Sequence, residues 1–127
     1  MPTRRQQRVS DLLREVISEL IRSEVEDPRL AGTTIMDVVI DRELEVANIY
    51  VNALQGEAGK AEIMGALTGA SRFLRRELGR RIRLQHTPEL RFHWDESLAE
   101  ADKIERLLAS IKIPTAVDEV NSDDESN

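Results

Sequence analysis

Between Gly69 and Leu84 the chain carries six guanidinium groups, on Arg72, Arg75, Arg76, Arg80, Arg81 and Arg83, against one acid, Glu77. The chemistry open to such a run is anion binding. A guanidinium is planar, stays charged at any working pH and can donate two parallel hydrogen bonds to a phosphate. The formal net charge of the whole chain is −6, so this is a local cationic patch on an acidic protein. That asymmetry suggests one face directed at a polyanion. The bland alternative is a solvated arginine-rich helix face. A second, smaller cluster, Arg4, Arg5 and Arg8, adds positive charge at the N-terminus, and sequence alone does not place it relative to the first.

Other chemistry is scarce. The chain has no cysteine, which excludes disulfides, thiolate nucleophiles and cysteine zinc sites. Its two histidines, His86 and His93, stand seven apart, and the stretch between them reads as a strand and not as the helix on which an i, i+4 metal site is built. His93 alternates with Phe92 and Trp94 and reads as an outward-facing strand residue. No phosphate-cradling loop ending in Lys-Ser/Thr and no nucleophile elbow is present. Gly56-Glu57-Ala58-Gly59 matches G-x-x-G literally, but it follows a strand, and Glu57 would repel phosphate, so it reads as a turn. Gly65 and Gly69 form a G-x-x-x-G, which outside a membrane span reads as a place for close packing or bending. Four aromatic residues (Tyr50, Phe73, Phe92 and Trp94) are too few for a base-stacking platform. Neither metal nor cofactor is expected.

The elements that must carry the arginines follow from periodicity. Val9, Leu12, Leu13, Val16, Ile17, Leu20 and Ile21 recur at helical steps, giving a first helix that ends before Pro28. Thr33 to Asp41 and Leu44 to Ala53 are β-branched and flank a polar turn, a β-hairpin. From Lys60 to Leu78 the pattern is helical again. Gly65, Gly69 and Ser71 interrupt it, so two helices meeting near Ala70 and Ser71 are expected, with Gly79 as a left-handed cap. Pro88 opens a strand with Leu90, Phe92 and Trp94 on one side. Ser97 to Glu100 reads as a capping box for a last helix, buried through Ile104, Leu107, Leu108 and Ile111. The sum is an α+β, two-layer domain: a three-stranded sheet packed on helices.

The element order is joined by Glu26-Asp27-Pro28-Arg29-Leu30 after the first helix and by Leu78-Gly79-Arg80-Arg81-Ile82-Arg83-Leu84 leading to Pro88-Glu89-Leu90-Arg91-Phe92, with Asp95-Glu96-Ser97-Leu98 after the last strand. In these residues the chain resembles the bacterial ribosome-binding factor A family. The resemblance covers roughly residues 4 to 111. What it implies is a type II KH-like fold with a helix-kink-helix, at Gly69, Ala70 and Ser71, in place of the G-x-x-G loop. It also implies a factor without catalytic activity that binds free or immature 30S subunits. Contact with 16S rRNA, late maturation including processing of its 5′ end, and a role in cold adaptation belong to the same implication. Other small-subunit assembly factors would be its neighbours there. The family's kink carries Ala-x-Gly; here the triplet is Ala70-Ser71-Arg72, with Gly69 one residue earlier able to supply a close approach instead.

Domain organisation is simple. Residues 1–113 read as one domain, and 114–127 as an acidic, disordered tail. The last ten residues carry five acids and no base, so without them the body has a net charge of −1. The N-terminus is basic and amphipathic, which fits neither a signal peptide nor a membrane span, and a cytoplasmic monomer is expected. Three classes compete: an RNA-binding assembly factor, a protein-docking module built on the first helix and hairpin, and a small enzyme. Only the first uses the arginines.

Overall fold

In the computed structural model, residues 1–111 are described. They form two units, Met1–Asp95 and the segment from Glu96 onward.

The first unit begins with α1 (Arg4–Ser23). Its start is fixed reciprocally: the Thr3 hydroxyl accepts from the Gln6 N–H, and the Gln6 side chain accepts from the Thr3 N–H. The buried stripe is Ser10, Leu13, Ile17, Leu20 and Ile21. Leu12, expected on that face, is 42% exposed, because it lies beside the stripe and not within it. The helix stops at Ser23. The Asp27 carboxylate then caps a 3-10 turn, Pro28–Leu30, by accepting from the Arg29 N–H.

Strands β1 (Thr33–Ile40) and β2 (Val46–Ala53) form the expected antiparallel hairpin, with an irregularity between Ile35 and Asp37. β2 starts two residues later than the sequence suggested. Asp41 organises the turn, its Oδ1 accepting from the N–H groups of Glu45 and Val46, and Leu44 adopts φ +60°. β3 (Glu89–Trp94) pairs in parallel with β2, so the sheet order is β1-β2-β3.

Between β2 and β3 lies α2 (Lys60–Arg81). Ile63, Ala66, Leu67, Leu74 and Leu78 face the sheet and, with Leu13, Ile17, Leu20, Val38 and Ile49, make up most of the core. Two expectations change here. The pair of helices is a single α-helix by its backbone pattern, and Gly69, Ala70 and Ser71 lie inside it. Each glycine costs about 1 kcal/mol of helix propensity, and the long apolar stripe offsets this. Gly79 is likewise internal, not a left-handed cap; the helix continues to Arg81 and ends at Ile82. What Gly79 provides is space, since a Cβ there would stand 3.0 Å from the Thr87 hydroxyl oxygen.

In the second unit, α3 spans Ser97–Ser110. Glu96 occupies the N-cap position without a side-chain cap hydrogen bond, which puts Ser97, expected to open the helix as its cap, one residue inside it. Ile104, Leu107, Leu108 and Ile111 are each more than half exposed, contrary to the expected burial. Their periodicity makes an apolar stripe, but a single helix offers no layer to cover it. The boundary at 113/114 and the acidic tail lie outside the described residues. Among the described residues no helix is long and apolar enough to cross a membrane.

Candidate nucleic-acid interface

The register of α2 sets which arginines face outward. Its buried residues occupy one side, so Arg72, Arg75 and Arg76 project from the other and are exposed. Gly65 and Gly69 share that outer side. Nothing lies within 4 Å of where a Cβ would sit on either, so of the two expected roles, close packing and bending, they do not serve the first.

The six guanidinium groups differ in what holds them. The Arg75 side chain donates to the Thr87 carbonyl at 3.0 Å, fastening α2 to the segment that leads into β3. Arg76 lies over the Phe73 ring, 5.6 Å from its centroid, a cation–π contact worth about 0.5–1 kcal/mol at an exposed site. Arg80 approaches Glu77 at 3.5 Å. Arg81 approaches Glu77 at 3.8 Å and Glu24, just beyond the end of α1, at 3.7 Å. Arg72 and Arg83 make no ion pair or hydrogen bond with any described residue. The patch therefore divides into fastened arginines (75, 80 and 81) and arginines with all donors available (72 and 83), with Arg76 braced on a ring face.

The N-terminal arginines are elsewhere. Arg4, Arg5 and Arg8 occupy the opening turns of α1, exposed and without partners among the described residues. The Gln6 side chain donates to the Ile40 carbonyl, which pins that end of α1 beside the close of β1. Arg81 meets the opposite end of α1. With 1.5 Å of rise per residue, Arg4 and Glu24 stand about 30 Å apart. The structure thus brings Arg81 to the far end of α1 from the N-terminal trio.

Sequence reasoning missed three partners that organise the patch: Thr87, Glu24 and the Phe73 ring. The pairing of Glu77 with Arg80 and Arg81 was readable in advance from its three- and four-residue spacing, and the three-residue step from Phe73 to Arg76 carried the same signal. His93 is half-buried on the sheet. Its Nε2 lies 2.7 Å from Asn48 Oδ1 and its ring stacks on Tyr50 at 5.0 Å, an arrangement that accounts for it structurally. Within β3, Arg91 donates to Glu89 at 2.8 Å and holds that carboxyl below its ordinary value, with Arg75 adding a smaller pull. The Gly56–Gly59 segment is a 3-10 turn entering α2, with Gly56 at φ +64°, as expected for punctuation and not for a phosphate clamp. The Glu57 carboxylate accepts from the Trp94 indole N–H at 3.0 Å.

Comparison with known proteins adds an independent line. A family model described as "Ribosome-binding factor A" matches residues 5–108. A protein of that name from Azoarcus sp. (strain BH72) is 45% identical over 104 residues, covering 82% of each chain. The crystal structure of ribosome-binding factor A from Thermus thermophilus superposes with a TM-score of 0.65 at 30% identity. That match covers 72% of this chain and 97% of the other. A homology model of the Thermus thermophilus factor, as fitted into the cryo-EM map of a 30S–RbfA complex, matches at 32% identity and a TM-score of 0.57, covering 68% and 91%.

Proposed function

This chain belongs to the ribosome-binding factor A family, and on that premise we propose that it binds the small ribosomal subunit through the outer face of α2. The observation that carries the reading is the set of guanidinium donors on Arg72 and Arg76 there and on Arg83 just past the helix end, left available by a core that needs none of them. The Thermus thermophilus relative fitted into a 30S complex supports the choice of partner. Phosphate contacts made by such donors supply affinity without sequence readout.

The finer reading follows the family. The factor acts on free or immature 30S particles in the cytoplasm, contacts 16S rRNA, and promotes late maturation, including 5′-end processing, as a binding factor and not as an enzyme. In this reading the fold is type II KH-like. The bend at Gly69, Ala70 and Ser71 then falls within the single helix α2. Two side chains favour it: Thr68 donates to the Met64 carbonyl at 2.9 Å and Ser71 to the Leu67 carbonyl at 3.2 Å. Such bonds compete with the backbone ladder and curve a helix.

Cosedimentation of the full chain with purified 30S subunits and with 70S ribosomes tests the proposal. It predicts recovery with free 30S subunits and little with 70S. Equal recovery with both, or with neither, would end it.

A further inference from the structure

Glu77 is the one acid in the arginine run, and an acid there weakens attraction for any polyanion. The helix dipole does not explain it, because the C-terminal end of a helix disfavours negative charge. Its geometry does. The side chain is only 14% exposed, and its two oxygens are divided: Oε2 faces Arg80 at 3.5 Å, Oε1 faces Arg81 at 3.8 Å. Arg81 is held a second time, by Glu24 at 3.7 Å, and it borders a groove whose α1 wall carries Glu15, Glu19 and Arg22. Arg80 has no such second partner among the described residues and is 70% exposed. A guanidinium has five N–H donors, so one edge directed at Glu77 leaves the others facing solvent.

We infer that Glu77 is a positioning residue for polyanion recognition: it holds Arg81 toward α1 and presents Arg80 outward to a phosphate. This rests on the proposed small-subunit reading and deepens it. A long side chain ordered before binding need not be frozen during it, a difference of about two- to tenfold in affinity per side chain.

The test separates positioning from simple charge. Glu77→Gln and a charge-matched control, Glu43→Gln in the hairpin turn, each add one unit of positive charge. Both are compared with wild type on purified 30S subunits and on heparin, with circular dichroism to establish folding. The inference predicts that Glu77→Gln binds heparin at least as tightly as the control, yet binds 30S subunits about two- to tenfold more weakly. It also predicts that the 30S loss vanishes when Glu77→Gln is made in an Arg80→Gln background. Equal or tighter 30S binding by folded Glu77→Gln would overturn it, as would a loss that persists without Arg80. If the wild type itself shows no salt-dependent 30S binding, the small-subunit reading fails and the inference fails with it.

Discussion

The Arg75 guanidinium donates to the carbonyl oxygen of Thr87 at 3.0 Å, closing a loop between the middle of α2 and the entry to β3. The same short stretch meets α2 again at Gly79, where the Thr87 hydroxyl fills the space a side chain would need. The return from α2 to the sheet is thus held at two points, one polar and one steric. The basic patch and the fold share residues there.

From the first point, Arg75→Met, which keeps the aliphatic stem, should destabilise the protein by about 0.5–1 kcal/mol, the usual net worth of an exposed hydrogen bond. Urea unfolding measures it. No change in midpoint would mean the Thr87 carbonyl is served equally well by water.

From the second, Gly79→Ala should be close to neutral in the wild type. The helix gains up to about 1 kcal/mol from alanine, and the contact with Thr87 cancels it. In a Thr87→Ala background the same change should stabilise by about 0.5–1 kcal/mol. A double-mutant cycle without coupling would contradict this.

Gly79 also shows where sequence reading stopped. A glycine after an apolar helical run signals a left-handed cap, and the same residue serves a close approach. Only Thr87, which is not its neighbour in the chain, distinguishes the two. α1, the hairpin and β3 were legible because their apolar periods answer to a core on one side. Ile104, Leu107, Leu108 and Ile111 misled for the converse reason: periodicity shows that a helix has an apolar face, not that anything covers it. The arginine cluster was legible as charge. Its division into fastened and available groups was not, because Glu24 and Thr87 come from separate parts of the chain.

The hairpin turn should make one part of stability depend on pH. Two backbone N–H groups, those of Val46 and Glu45, hold the Asp41 carboxyl below its ordinary value. Its folded value lies below its unfolded one. The contribution is therefore complete above the usual carboxylate range and is lost as pH falls through the folded value. Asp41→Asn keeps an acceptor oxygen but no charge. It should lose less stability than wild type between neutral pH and the acid side of that range, as read by urea midpoints. Parallel curves would show that the turn does not sense the charge.

Among the described residues, every member of the core lies between Leu13 and Leu90. Removing residues 112–127 should accordingly leave the thermal midpoint unchanged, and scanning calorimetry of the two chains checks it. A drop of several degrees would show that those residues stabilise the fold.

The central claim is that the available arginines on the outer side of α2 and just beyond it contact phosphate. The direct test is the salt dependence of 30S binding for wild type, for Arg72→Gln/Arg76→Gln/Arg83→Gln, and for Arg4→Gln/Arg5→Gln/Arg8→Gln, each shown to be folded. Each lost contact should flatten the slope of log affinity against log salt by about 0.7–0.9. The α2 variant should therefore lose about 2 to 3 of slope, with an affinity loss on the order of tenfold or more at moderate salt, while the N-terminal variant changes less. An unchanged slope for the α2 variant, with the loss appearing in the N-terminal one, would contradict the account.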